Sequence, residues 1–325
     1  MRALVVKSMV VSSLAILGIP TSHHAAAEAD GAKVILLTMT DACDYCALHH
    51  RAFMDTAQER GLDVEVKFTD FDPDVQATQV DQALAERPDA IVLWPAESPA
   101  IVPSLRKIHE AGIPLVVTNA KPDDRYAELW DVYTGPNDLL NGQLAAEALI
   151  QGFSDRGIGA TGKIFVIEGE PGTVGQVERT TGFEEMLGRT APGIAVVAKQ
   201  HGDWDQAKAM KAAETLFAEH GTDIQGIYAQ ADDMLAGAIA AAEQEGIDPL
   251  DLVLVGSNCT AEGSDAIIAG IQYASVLQSP IDDGAYAARA IADLLNGEEL
   301  PNEIFLPHTI VTRANVAICD EAIGR

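Results

Sequence analysis

The sequence predicts an α/β chain built from parallel sheets that are covered by helices. Three observations lead there: short β-branched runs that are apolar at nearly every position, helical spacing in the stretches between them, and cap signals where the two meet.

The runs follow one another along the chain. KVILLT at 33–38, VEVKFTD at 64–70, AIVLW at 90–94 and IPLVVTN at 113–119 come first. GKIFVIEG at 162–169, IAVVAKQ at 194–200, IQGIYAQ at 224–230, LVLVGSN at 252–258 and YASVLQ at 273–278 follow. A strand apolar on both faces must be covered on both, which is the condition of a parallel sheet between helix layers. The intervening stretches supply those helices, as in Ala207, Met210, Leu216 and Phe217, or Ala288, Ile291 and Leu295. Ser98-Pro99 and Asp205 stand where an N-cap or first-turn proline belongs. GEPGTVG, from Gly169 to Gly175, matches neither phosphate-binding glycine pattern and reads as a tight turn between strand and helix.

The chain opens with Arg2 and Lys7, an apolar run from Met9 to Ile19, and an A-x-A site ending at Ala27. This is the pattern of a cleaved export signal, 1–27, so the mature chain is expected to be exported. Removing two basic residues and no acid moves the formal charge from -28 to -30, a surface that repels nucleic acid and anionic lipid. Four cysteines are too few to replace a hydrophobic core, and in an oxidising compartment they are free to pair. The remaining ~300 residues fit about two domains.

In parallel sheets, ligands bind beyond the carboxyl ends of the strands. The residues there are Asp41, Asp44, Tyr45, Trp94, Asn119, Arg179, Trp204, Asp232, Asn258 and Gln278. They are hydrogen-bonding groups and flat aromatic faces, with no nucleophile beside a base, so a binding site for a small polar molecule is expected and catalysis is not. Asp232 and Asp233 open a helix, where capping is the competing role for both.

The blocks DAIVLWPAES, AGIPLVVTNA, YTGPNDLLNGQLAAEAL, GEPGTVGQVERTTGFEE, IYAQADDMLAGAIAA and ASVLQSP, in this order, resemble the periplasmic sugar-binding proteins of ribose type. These are substrate carriers for ABC importers with the type I periplasmic binding protein fold. The resemblance implies two similar doubly wound parallel-sheet lobes, 28–134 plus 279–307 and 135–278 plus 308–325, joined by a three-segment hinge near Thr134-Gly135, Gln278-Ser279 and Pro307-His308. It implies a monomer without cofactor or turnover that closes over a sugar or polyol. Its partners would be the importer's membrane subunits, with a chemoreceptor as a second candidate. Arg179 matches the arginine that donates to sugar hydroxyls, Trp204 an aromatic on the sugar ring, and Gln278 the hinge glutamine. Asn119 and Asn258 stand where an aspartate is usual, while Ala120 and Ala231 replace an arginine and an asparagine. Those departures imply a polyol, another sugar or a different small polar molecule in place of ribose.

DACDYCALHH at 41–50 admits three readings. Cys43 and Cys46 are a disulfide or paired thiols lining the cleft, or a redox dithiol as at the start of a thioredoxin. Alternatively, with His49 or His50, they are ligands for zinc or copper. Cys259 and Cys319 leave a second bond open without requiring it.

Overall fold

The computed structural model describes residues 29–325, so the predicted leader lies outside the described residues. The first sheet contains β1 (Lys33–Met39), β2 (Asp63–Thr69), β3 (Ala90–Leu93), β4 (Leu115–Thr118), β5 (Val132–Gly135) and β11 (Glu303–Phe305). Their order is β11-β5-β4-β3-β1-β2 and every pair is parallel. The second sheet holds β6 (Thr161–Glu168), β7 (Gly193–His201), β8 (Gly226–Ala229), β9 (Val253–Asn258), β10 (Ala274–Leu277) and β12 (Ile310–Val311). Its order is β12-β10-β9-β8-β6-β7, with only β12 antiparallel. The nine apolar runs of the sequence are β1–β4 and β6–β10. The strands they miss, β5, β11 and β12, have four, three and two residues, too few to show a periodicity.

Alternation along each strand feeds two helix layers. Val34 and Leu36 of β1 face α1 (Asp44–Glu59) and α9 (Pro280–Leu295), where Phe53 and Ile291 cover them. Ile35 and Leu37 face the other way, toward Val80 of α2 (Pro73–Glu86) and Leu105 and Ile108 of α3 (Ser98–Ala111). In the second sheet, Ile164 and Val166 pack on Phe153 of α4 (Asp138–Asp155) and Phe183 of α5 (Val174–Thr190). Phe165 and Ile167 meet Leu216 of α6 (Gln206–His220) and Met234 of α7 (Asp232–Gln244). Each such buried side chain stabilises the fold by roughly 1.5–3 kcal/mol over exposure. α8 (Ala261–Ala269) and α10 (Ala317–Ile323) complete the second half.

The cap signals act as read: Asp205 accepts from the Lys208 N–H at 2.8 Å, and Pro99 sits in the first turn of α3. Thr173 of the glycine-rich turn caps α5. The chain leaves the first sheet after β5, returns after β10, and crosses again between β11 and β12.

Three helix pairs approach at backbone contact, α6 and α7 through Gly237 and two others beside the strand ends. A Cβ on Gly142 of α4 would lie 2.1 Å from the Arg179 carbonyl oxygen of α5, and one on Gly284 of α9 would lie 2.1 Å from the His49 carbonyl oxygen of α1. Only glycine allows these helices to sit so close.

Candidate functional site

The carboxyl ends of both sheets are where the backbone is strained. Among the described residues seven non-glycine positions have positive φ, and five of them are Asn119, Asp203, Trp204, Asn258 and Cys259, immediately beyond β4, β7 and β9 or at the last residue of β9. Such conformations cost on the order of 1 kcal/mol or more each, persist where neighbours impose them, and concentrate at ligand sites.

Arg179 is at the centre, 4% exposed, on the face of α5 turned toward these ends. Its Nε donates to Asp138 Oδ1 at 2.8 Å, and its Nη1 donates to the Gln230 carbonyl at 2.6 Å and to Asn258 Oδ1 at 3.3 Å. Nη2 donates to Gln278 Oε1 at 2.6 Å, and the Trp204 ring lies 5.4 Å from the guanidinium. Burial works against the charge, but Asp138, with Tyr228 and Tyr45, together outweigh it, so the guanidinium holds its proton more tightly than usual.

From Gln278 the hydrogen bonds continue into the first half of the molecule. Its Nε2 donates to the Tyr45 hydroxyl at 3.1 Å, which donates to Asp283 Oδ2 at 2.9 Å. Asn119 Nδ2 also donates to Oδ2, at 2.7 Å, and Thr118 Oγ1 to Oδ1 at 3.4 Å. Asp283 is fully buried, which raises its pKa to about 7, the hydrogen bonds from Asn119, Tyr45 and Thr118 pulling the other way. Burial likewise pushes the Tyr45 hydroxyl well up.

Five of the ten expected site residues, Tyr45, Asn119, Arg179, Asn258 and Gln278, are thus joined in one network, with Trp204 stacked on it. Asp44 is exposed in the first turn of α1 and, with Tyr45, Asn258, Thr260, Pro280 and Arg325, lines a cavity of about 280 Å³. Trp94 is buried behind the site, its ring 6.0 Å from Tyr45 and 4.8 Å from His49. Asp41 is exposed and pairs with His50 Nδ1 at 3.1 Å. Asp232 stands apart: its carboxylate, 1% exposed, takes hydrogen bonds from Thr260 N, Gln272 Nε2 and Ser275 Oγ at 3.1, 2.7 and 2.8 Å. It knits α7 to the β9–α8 turn and to β10, and caps no helix.

Cys43 and Cys46 are joined, S–S 2.02 Å, as are Cys259 and Cys319, which the sequence had left open. The metal reading of the first pair fails on position. His49 is buried with Nε2 toward Thr118 Oγ1 at 3.4 Å and kept neutral by burial, its pKa lowered to about 3, whereas His50 faces Asp41. No group of three His, Cys, Asp or Glu side chains among the described residues is arranged to hold an ion.

Sequence reasoning missed Asp138 and Asp283. Each is an acid in the first turn of a helix, α4 or α9, where a carboxylate needs no further reason than the helix dipole. The usable signal was position, since both helices begin directly after a crossing between sheets.

A family model of the periplasmic binding protein domain matches residues 17–299. The ribose import binding protein of Bacillus subtilis (strain 168) is 28% identical over 259 residues, 79% of this chain and 79% of that protein. A xylitol-binding protein of Mycolicibacterium smegmatis is 28% identical over 274 residues, 83% of this chain and 74% of the other. An ABC transporter solute-binding protein from Bacillus halodurans C-125, solved with bound myo-inositol, superposes with a TM-score of 0.81 at 25% identity, covering 90% of this chain and 99% of that one.

Proposed function

From the premise that the chain belongs to the periplasmic binding protein domain family, we propose that it carries a sugar, polyol or similar small polar molecule to the membrane subunits of an ABC importer. The observation that carries this reading is the buried line Asp283, Tyr45, Gln278, Arg179, Asp138. It runs from a helix on the first sheet to a helix on the second, through a residue in the segment that joins them. Such a line is continuous only while the two halves face each other closely, so a ligand touching both halves favours that arrangement. The lobes are 28–134 plus 279–307 and 135–278 plus 308–325, and the three crossings between sheets are the hinge. The protein is exported to the periplasm after cleavage near Ala27, acts as a monomer and turns nothing over. The dithiol-exchange reading of Cys43 and Cys46 is not favoured, because the whole described chain is accounted for by the carrier fold.

The test is a thermal-shift screen of the mature chain against sugars, polyols and other small polar metabolites, followed by small-angle scattering with the best binder. A raised melting temperature for one chemical class and a smaller radius of gyration at saturation are expected. An unchanged radius of gyration at saturation would remove the hinged carrier.

A further inference from the structure

Asn119 and Asn258 hold matching places. Each lies at a strand end beside the site, Asn119 just past β4 and Asn258 at the last residue of β9, with positive φ and half-buried. Their amides nevertheless face opposite chemistry. Asn119 meets the buried carboxylate of Asp283, whose Oδ2 also takes the Tyr45 hydroxyl, so this oxygen can only accept and Asn119 must offer it Nδ2. Asn258 meets the guanidinium of Arg179, which can only donate, so Asn258 must offer it Oδ1. The ends left over are therefore unlike: an acceptor, Asn119 Oδ1, from the first half and a donor, Asn258 Nδ2, from the second. Among the described residues no protein group bonds to either.

The cations of the site are matched within the protein. A guanidinium has five N–H donors. Four contacts are made, to Asp138, Gln230, Asn258 and Gln278, and five minus four leaves one. Asp138 and Arg179 side chains are each 5% exposed, so that ion pair is enclosed, and Arg325 on the cavity wall pairs with Asp265 at 3.0 Å, so among the described residues no unpaired cation lines the cavity.

We propose that Asp283 is a specificity-determining positioning residue, which with Arg179 turns the two strand-end asparagines in opposite senses, so that the site selects a neutral ligand with hydroxyl groups over its carboxylate counterpart. A hydroxyl donates and accepts, and so satisfies both free ends at once. A carboxylate placed at Asn119 Oδ1 meets an acceptor with an acceptor, close above Asp283, and loses its hydration for no cation in return. This rests on the carrier reading for its ligand class but not for the orientation of Asn119, and the experiment separates the two.

The first arm needs no ligand. In full-length mature protein with ¹⁵N-labelled asparagine, the side-chain amide of Asn119 is identified as the signal missing from Asn119→Asp. Its protons should exchange slowly with water in the wild type, rapidly in Asp283→Leu, and slowly again in Asp283→Asn, which keeps an oxygen at the same place. Slow exchange that persists in Asp283→Leu overturns the orientation.

The second arm titrates two matched pairs, xylitol with xylonate and ribose with ribonate, by calorimetry. In at least one pair the neutral member should bind and its acid should bind about thirtyfold more weakly or worse. Asp283→Leu should lose about tenfold or more of the neutral affinity, because it leaves buried donors without an acceptor, and Asp283→Asn should restore most of that loss. An acid that binds as tightly as its neutral partner, or full affinity in Asp283→Leu, overturns the proposal. Silence from all four probes counts against both the ligand class and the selectivity, while the amide exchange still decides what Asp283 does.

Discussion

The two sheets finish their site-facing ends with different fastenings. In the first, Cys43 and Cys46 are linked across a separation of 3 residues, inside the start of one helix. In the second, Cys259 at the end of β9 is linked to Cys319 of α10, a separation of 60, with both cysteines fully buried. The polar anchors differ as well. Arg179 and Asp138 form an enclosed ion pair in the second half, whereas Asn119, Tyr45 and Thr118 in the first half hang on the single carboxylate of Asp283. The second wall is held by a long-range disulfide and an ion pair, the first by a short disulfide and hydrogen bonds that converge on one carboxylate. Stability and ligand shape are therefore expected to separate between the two walls.

The hardest test of that separation is Arg179→Ala. It leaves Asp138 buried without its partner and should lower unfolding free energy by about 3–5 kcal/mol in urea denaturation, well beyond an effect on ligand alone. Adding Asp138→Asn should recover part of the loss, and a single variant as stable as wild type would show that the ion pair is no anchor. Next in size, Cys259→Ala with Cys319→Ala opens a loop long enough to be worth about 4 kcal/mol in chain entropy, readable as a fall in the urea midpoint.

A pH titration probes the buried carboxylates. Burial raises Asp232 to about 7, against hydrogen bonds from Gln272, Ser275 and Thr260. The folded chain thus keeps a proton that the unfolded chain releases near pH 4. That contribution is full below about pH 4, declines as pH rises, and is gone above about pH 7. Wild type should lose about 1–2 kcal/mol more than Asp232→Asn between pH 5.5 and 7, and equal slopes would refute the shift. The smallest stability effect belongs to Cys43→Ser with Cys46→Ser, about 1.5 kcal/mol or less because the ring is so short. This pair should instead weaken ligand affinity, since it shapes the turn that holds Tyr45 toward Gln278. A large fall in melting temperature with unchanged affinity would reverse the roles assigned to the two disulfides.

Much of this molecule is legible in its sequence because apolar runs such as AIVLW and LVLVGSN must be buried on both faces, and because ligand sites follow the strand ends. That reasoning reaches Tyr45, Asn119, Arg179, Asn258 and Gln278. It does not foresee the partners of Asp232, since a first-turn acid at a strand end looks the same whether its carboxylate faces the cleft or, as here, bonds to Gln272 and Ser275. It overlooks Asp283 for the same reason: burial of a charged side chain depends on which helix packs against which strand, and 164 residues separate Asp283 from Asn119. The pairing of Cys259 with Cys319 is likewise a fact of three-dimensional proximity.

The close approaches at Gly142 and Gly284 matter to anyone who would retune this protein as a biosensor. Gly142 lies against the backbone of Arg179, and Gly284 follows Asp283 in the chain. A methyl group at either position shifts a whole helix, and with it the arginine or the carboxylate that orients an asparagine. A deep mutational scan read out by ligand response will therefore flag both glycines as strongly as any contact residue, although neither has a side chain to offer. A library meant to broaden the ligand range should hold these two fixed and randomise the positions that face the cavity.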